Sequence, residues 1–226
     1  MYSNQGNYQI SKFSFLPPVV KNLLILNVLF FLADFTLAQR GIELSRWLGL
    51  HYIFADHFYP FQFITYMFMH GSWSHLFFNM FALWMFGYAL ENYWGSKRFL
   101  AYYLITGIGA GLIQNLVVGI DLHIMAQSYI PSQISIYMNQ IVTVGASGAI
   151  FGILLAFGMS FPNTPIFIYF LFPIKAKWFV LIYGVLELVA GIGGTADGVA
   201  HFAHLGGMIF GFFLILYWRK HGRKGY

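Results

Sequence analysis

The chain has 226 residues, of which 59% are hydrophobic and only 8% are charged, and its formal net charge is +5 at pH 7. Soluble domains normally have about a quarter of their residues charged, so this composition excludes a soluble protein and indicates a polytopic membrane protein. Because the sequence contains no cysteine, disulfides, thiolate metal sites and thiol nucleophiles are also excluded.

Six apolar runs are long enough to form helices within a bilayer, given that about 20 residues span the hydrocarbon. In chain order they cover residues 20–38, 73–93, 99–120, 147–161, 176–192 and 201–218. The sequence therefore predicts an all-α polytopic membrane protein, a single bundle of six transmembrane helices.

Three segments between these runs are predicted not to span. The long first loop, Gln39 to Gly71, interleaves aromatic residues with charged residues and histidines, which is typical of the membrane interface. Residues 121–144 are amphipathic and contain a proline, so we expect an irregular segment there. The stretch Pro165 to Pro173 is too short to span and is expected to be interfacial or re-entrant.

The basic residues predict the orientation of the bundle. In a six-span arrangement, ten of the twelve Lys and Arg residues lie on one side: Lys12, Lys21, Lys97, Arg98, Lys175, Lys177, Arg219, Lys220, Arg223 and Lys224. By the positive-inside rule this side is cytoplasmic, so the net charge reflects topology and not a nucleic-acid partner. We expect residues 1–18 to be a cytoplasmic segment, 19–218 the six-span domain and 219–226 a basic cytoplasmic tail.

The fourth predicted helix is too short to cross the bilayer. From Ser147 to the break at Pro162 it has 15 residues, or about 22 Å against roughly 30 Å of hydrocarbon. Ser147 is therefore expected within the membrane, below its outer surface. His204 precedes Arg219 by the same 15 residues, so it is predicted at a matching depth. A serine and a histidine at equal depth are candidates for a nucleophile and its general base.

Both candidate residues precede glycine pairs at helical spacing. Gly148 and Gly152 follow the serine, and Gly207 and Gly211 follow the histidine. Small residues four apart let helix backbones approach closely in lipid. We expect these pairs to bring the fourth and sixth helices together at Ser147 and His204.

The second predicted helix opens with further polar groups. His75 and Asn79 are four residues apart and share one helical face. Such donors, with the backbone N–H of Ser147, can hold a developing oxyanion. The competing interpretation is a metal site built from His70, His75, His201 and His204. Against it, the H-E-x-x-H pattern is missing, no carboxylate lies near either histidine pair on a shared face, and a separation of five residues is poor for one helical face.

Together these motifs resemble those of the rhomboid family of intramembrane serine proteases. The resemblance covers roughly residues 15 to 218. It is carried by Gly145-Ala146-Ser147-Gly148, by Ala203-His204-Leu205-Gly206-Gly207 with Gly211, by His70, His75 and Asn79 at their spacing, and by Glu91 followed by Gly95-Ser96.

The resemblance implies a Ser–His dyad without a third acid and without a cofactor. Ser147 would be the nucleophile and His204 the base, with His75 and Asn79 stabilising the oxyanion. The supporting positions would be His70, Gly145, Phe151, Gly207 and Gly211. Phe151 stands where family members often carry an aromatic residue that packs on the base, and its ring can stack but cannot donate a hydrogen bond.

Three ionisable residues are not assigned by these motifs. His201 lies one turn from His204, and spacing alone permits either as the base, although the family interval to Gly207 and Gly211 selects His204. Glu187 is predicted some 15 Å up the fifth helix, where an ionisable group is usually paired or functional. We expect a hydrogen-bonded structural role for it, with gating or proton transfer as the alternative. Asp197, in the last outer loop, is expected to be solvated.

The leading hypothesis is a serine endopeptidase that hydrolyses peptide bonds in or near transmembrane segments of other membrane proteins. Alternatives are a catalytically silent rhomboid-like binder or escort, and a transporter, whose expected internal repeats are not found. We expect a multi-pass protein of a bacterial plasma membrane with both termini in the cytoplasm. The oligomeric state and the substrate are left open.

Overall fold

A computed structural model describes residues 14–168, 171–194 and 199–221. Within these ranges the helices are α1 Pro18–Ala38, α2 Ser45–Leu48, α3 Gln62–Thr65, α4 Trp73–Trp94, α5 Ser96–Met125, α6 Pro131–Gln140, α7 Ser147–Ser160, α8 Ala176–Gly193 and α9 His201–His221, with a 3-10 turn at Tyr66–Phe68. The strands are β1 Leu50–His51, β2 Val142–Thr143, β3 Pro165–Ile168 and β4 Phe172–Lys175.

The fold class predicted from the sequence is confirmed. Helices α1, α4, α5, α7, α8 and α9 correspond in order to the six predicted spans. Four of them, α1, α5, α8 and α9, are long and apolar enough by themselves to cross a membrane. Helix α4 has 22 residues, whereas α7 has 14. Helix α7 begins at Ser147 and ends before Pro162, so its short length has the cause predicted from the sequence, the break at this proline.

One connecting segment differs from expectation, and a second forms a defined structure. Residues 121–144 are not irregular, because α5 continues to Met125 and Pro131 begins α6, a position that suits proline because it needs no N–H there. Pro165 to Lys175 forms an antiparallel hairpin, β3 with β4, in which Pro165 pairs with Lys175. The hairpin satisfies backbone groups of a segment too short to span. Residues 1–13, residues 222–226 and Asp197 lie outside the described ranges.

The first loop is held together by a buried amide. Gln62 is fully buried, and its Nε2 donates to the carbonyls of Trp47 at 3.0 Å and His57 at 2.9 Å. Its Oε1 accepts from the backbone N–H groups of His51 at 3.3 Å and Tyr59 at 3.2 Å. One side chain thus satisfies four backbone groups in a segment with little regular structure.

Helix α7 is the centre of the bundle. It packs against α4, α5, α8 and α9, and nine of its 14 residues are buried. By contrast, only Ala176 and Val180 are buried in α8, which places α8 at the periphery. The N-terminus of α7, where Ser147 lies, is therefore surrounded by protein.

At the opposite end of the bundle, a buried carboxylate joins three helices. Glu91, on α4, is 2% exposed. It accepts hydrogen bonds from the backbone N–H groups of Val19 at 2.9 Å and Val20 at 2.8 Å, and from the Ser96 hydroxyl at 2.6 Å. The first turn of α1 has no intrahelical acceptors for these N–H groups, so Glu91 supplies them and its charge complements the helix dipole.

We expect Glu91→Ala to destabilise the protein by about 3 kcal/mol or more, because it leaves buried donors without an acceptor. Thermal unfolding in detergent, followed by circular dichroism, measures the change. Glu43→Ala is the matched control: the Glu43 side chain is 49% exposed and pairs with an exposed arginine, an interaction worth at most about 1 kcal/mol. Equal stability of the two variants would contradict this role for Glu91.

Candidate active site

The backbone leading into Ser147 is fixed by the first loop. Strand β1 pairs with β2 so that His51 lies opposite Val142, and the N–H of Gly145 donates to the carbonyl of Tyr66 at 2.9 Å. Gly145 has φ of +127°, a conformation that side-chain-bearing residues rarely adopt. These contacts hold the chain in an extended approach to α7, so Ser147 is presented at the first position of the helix.

Ser147 and His204 are in hydrogen-bonding contact. The Oγ of Ser147 lies 2.8 Å from Nε2 of His204, and His204 is 7% exposed. The ring of Phe151, one turn along α7, stacks on the imidazole with a centroid distance of 4.2 Å and an interplanar angle of 6°. Stacking on Phe151 therefore fixes the plane of the imidazole, and Nε2 of the ring faces the Ser147 hydroxyl.

Helices α7 and α9 approach each other closely at Gly148 and Gly207. A Cβ added to Gly207 would lie 1.8 Å from the carbonyl oxygen of Gly148, a position that only glycine leaves empty. Because this contact follows Ser147 and His204 by one and three residues, it sets the distance between the two side chains.

The second glycine of each pair, Gly152 and Gly211, leaves space for a third helix. A Cβ at Gly152 would lie 2.7 Å from Cβ of Thr106, and one at Gly211 would lie 2.2 Å from the hydroxyl of Tyr102. Both partners are on α5. The expectation that each pair lies between α7 and α9 is therefore corrected: Gly152 and Gly211 let α5 pack behind both helices.

Two polar side chains of α4, His75 and Asn79, line the same cavity as Ser147. A Cβ at Gly145 would be 2.8 Å from Nε2 of His75 and 3.5 Å from Oγ of Ser147, so the imidazole edge and the hydroxyl border the same small space. Asn79 is 6% exposed, and its buried Nδ2 has no hydrogen-bond partner among the described residues. An unused buried donor that lines the same cavity as the Ser147 hydroxyl is suited to an oxygen of an incoming group.

The tautomer of His75 is indicated by its neighbour. The N–H of Gly71 points at Nδ1 of His75 over 3.5 Å, which makes Nδ1 the acceptor. In a neutral imidazole the other nitrogen then carries the proton. His75 thus presents Nε2–H, a donor, toward Ser147.

His70 stands behind His75 and is not itself beside Ser147 in the cavity. It is 3% exposed, and its ring meets that of His75 edge-on at a centroid distance of 5.0 Å. Burial, followed by the neighbouring His75, lowers the pKa of His70 to about 4, since a charged imidazole would lose its hydration. His70 is therefore neutral at pH 7 and restrains His75 by packing.

A carboxylate not anticipated at this site comes from α8. Oε2 of Glu187 lies 2.8 Å from Nδ1 of His204 and 2.7 Å from Nδ1 of His201. The sequence argument concerned carboxylates on a shared helical face, and Glu187 reaches these histidines from a different helix. The structure also separates the two candidate bases: His204 contacts Ser147, and His201 contacts Glu187.

The same three residues are the described group best placed to hold a metal ion. Their ligand atoms lie within 4.8 Å of one another. However, the two N···O separations of 2.7 and 2.8 Å are hydrogen-bond lengths, whereas neighbouring ligands of a tetrahedral zinc are about 3.4 Å apart for bonds of roughly 2.0–2.2 Å. The arrangement is that of a carboxylate accepting two N–H bonds.

The Ser147 hydroxyl and the polar side chains nearest to it open onto one cavity of about 890 Å³, which is large enough for an extended peptide segment. Its lining includes His75, Asn79, Ser147, Glu187 and His204. The backbone stretch from Ile141 to Val144 forms one wall. The cavity therefore combines a hydroxyl, a base and two donors with space for a substrate.

The chain is similar in sequence to several known proteins. The rhomboid domain model matches residues 57–221. The chain is 31% identical over 216 residues to Rhomboid-like protein 11, chloroplastic, of Arabidopsis thaliana, covering 85% of this chain and 62% of that protein. It is 31% identical over 155 residues to Rhomboid protease AarA of Providencia stuartii, covering 64% and 51%. It is 34% identical over 151 residues to Rhomboid protease GluP of Bacillus subtilis, covering 66% and 24%. The chain thus spans less than two thirds of the length of these relatives.

Proposed function

This chain belongs to the rhomboid family, and we propose on that basis that it is an intramembrane serine endopeptidase that hydrolyses peptide bonds in or near transmembrane segments of other proteins. The observation that carries the proposal is the 2.8 Å contact between Ser147 Oγ and His204 Nε2. This contact lies at the start of a helix too short to cross the membrane, inside a cavity lined by polar groups.

The chemistry follows from the positions of these side chains. His204 Nε2 accepts the hydroxyl proton as Ser147 Oγ attacks the peptide carbonyl carbon. The oxyanion of the tetrahedral intermediate is held by Asn79 Nδ2, His75 Nε2–H and the Ser147 N–H. His204 then gives the proton to the leaving amine, and water hydrolyses the acyl-enzyme by the same route.

Labelling of purified protein with a fluorophosphonate, together with cleavage of a transmembrane substrate in proteoliposomes, tests the proposal. We expect the probe to attach to Ser147, identified by mass spectrometry of the labelled peptide, and to block cleavage. A folded protein that neither labels nor cleaves, but still retains membrane-protein clients, would instead support the alternative of a silent binder or escort.

Asn79→Leu is expected to lower kcat by about 10²- to 10³-fold, the usual effect of removing one oxyanion donor. Because Asn79 Nδ2 makes no hydrogen bond with described residues in the resting site, thermal stability should be unchanged or raised. Steady-state cleavage and thermal unfolding measure the two effects. A loss of stability with unchanged kcat would show that Asn79 is structural.

We further propose that residues 19–218 form the protease domain and lie in a bacterial plasma membrane. Residues 1–18 and 219–226 would lie on its cytoplasmic side. The side bearing the basic residues supports this orientation, and AarA and GluP come from bacteria, although other relatives are chloroplastic or mitochondrial by name. Reporter fusions at each end, joined with membrane fractionation, test both statements.

A further inference from the structure

The resemblance to rhomboid proteases implies a dyad, yet a carboxylate occupies the far side of the base. The Ser147 hydroxyl, the His204 imidazole and the Glu187 carboxylate form a continuous series of contacts, each 2.8 Å long. From this geometry we propose that Glu187 is a positioning residue for His204, so that the site acts as a Ser–His–Glu triad. The inference rests on the proposed protease function.

The first part of the role is to fix the tautomer of the base. A carboxylate accepts and does not donate, so Nδ1 of His204 carries a proton when it faces Glu187. Nε2 then has a free lone pair directed at the Ser147 hydroxyl. Without the carboxylate, the imidazole could place its proton on Nε2, and this tautomer cannot accept the serine proton.

The second part is charge compensation. When His204 takes the proton it becomes an imidazolium in a largely buried place, with side chains of His204 and Glu187 exposed by only 9% and 12%. An isolated cation there would lack hydration. A carboxylate already in contact stabilises the cation without any reorganisation at the moment of reaction.

The carboxylate is itself held in place by a third group. His201 Nδ1 lies 2.7 Å from the same Oε2 atom that meets His204, and its side chain is 11% exposed. Two N–H donors on one oxygen fix the orientation of the carboxylate. Since α8 is the peripheral helix with few buried residues, these bonds also attach its outer half to α9.

The titratable groups that face His204 in the described structure come from three helices. They are Glu187 on α8, His201 one turn away on α9, and His75 on α4. Glu187 is the acidic residue among these groups. Among the described residues, no other carboxylate lines the cavity.

The decisive variant is Glu187→Gln, which keeps the shape and can still accept a hydrogen bond but carries no charge. We expect kcat for a transmembrane substrate to fall roughly 10²- to 10⁴-fold, as when the acid of other serine protease triads is neutralised. KM should stay within about threefold. The rate of fluorophosphonate labelling of Ser147 should fall in parallel, and Glu187→Asp should recover part of both rates.

His201→Gln is the matched comparison, because it also removes a bond between α8 and α9 but does not touch Ser147. A purely structural role for Glu187 predicts that both variants lose activity in proportion to their thermal stability. A triad predicts that Glu187→Gln loses far more activity than His201→Gln at comparable stability. Parallel losses would overturn the inference.

A measurement on the unaltered protein complements the variants. Nitrogen-15 NMR of labelled histidine, with His204 assigned by difference from His204→Gln, should show Nδ1 protonated and Nε2 unprotonated at neutral pH. The opposite tautomer would overturn the inference.

Loss of activity in a chelator, with recovery on adding Zn²⁺, would also overturn the inference, since Glu187 would then be a metal ligand. An unaltered protein that fails to label at Ser147 would refute the protease proposal itself, whereas full activity of Glu187→Gln would refute only the triad.

Discussion

Ser147→Ala is expected to abolish cleavage of a transmembrane substrate, with kcat reduced by about 10⁴-fold or more, because the nucleophile and the acceptor of the acyl group are lost. His204→Ala should have an effect of the same size, since the hydroxyl is then without a base. The two losses are not expected to add. In a double variant the rate should be close to that of either single variant, because nucleophile and base act as one unit.

Cleavage in proteoliposomes, with the product quantified by mass spectrometry, measures rates over the range that a 10⁴-fold loss requires. Ser160→Ala is the matched control, since Ser160 is the last residue of the same helix α7 and lies at its other end. Its activity should equal that of the unaltered protein. Substantial activity in Ser147→Ala or His204→Ala would refute the assignment of both residues, and additive losses would show that they act in separate steps.

Gly207→Ala is expected to inactivate the protein although it changes no polar group. The added Cβ would lie 1.8 Å from the Gly148 carbonyl oxygen, and because that oxygen is backbone, the strain is relieved only by separating α7 from α9. A displacement of about 1 Å at a catalytic contact can cost 10²-fold in rate. We expect at least that loss in kcat, a slower fluorophosphonate reaction at Ser147, and a lower unfolding temperature.

Gly193→Ala is the control for this substitution. Gly193 ends helix α8, and a Cβ added there meets nothing within 4 Å. Alanine is the better helix former by about 1 kcal/mol, so this variant should be as active and at least as stable as the unaltered protein. If Gly207→Ala behaved in the same way, the close contact would not be what sets the distance between Ser147 and His204.

The first loop and α5 support the segments that carry Ser147 and His204. Gln62 organises the loop from within, and β1 holds β2 beside the cavity. On the other side, Thr106 and Tyr102 of α5 fill the spaces left by Gly152 and Gly211. Substitutions in these supporting contacts are therefore expected to act on the rate through the placement of α7 and α9.

Several features of the protein are determined by the sequence itself. The number and approximate positions of the long helices follow from the apolar runs, although α5 continues beyond its run to Met125, and the end of α7 follows from Pro162. Ser147 and His204 precede that break and Arg219 by the same number of residues, which agrees with their contact in the structure. These are properties of local composition and helix rise, so they do not depend on how the helices are arranged.

Only the tertiary structure decided which side chains meet across helices. The helices in this chain are apolar on most sides, because lipid and the protein interior are equally apolar. The hydrophobic pattern therefore does not reveal which face of a helix points inward. For this reason the sequence does not predict that Gly152 and Gly211 face α5. For the same reason the position of Glu187 along α8 marks it as unusual, but its contact with His204 depends on the packing of α8 against α9.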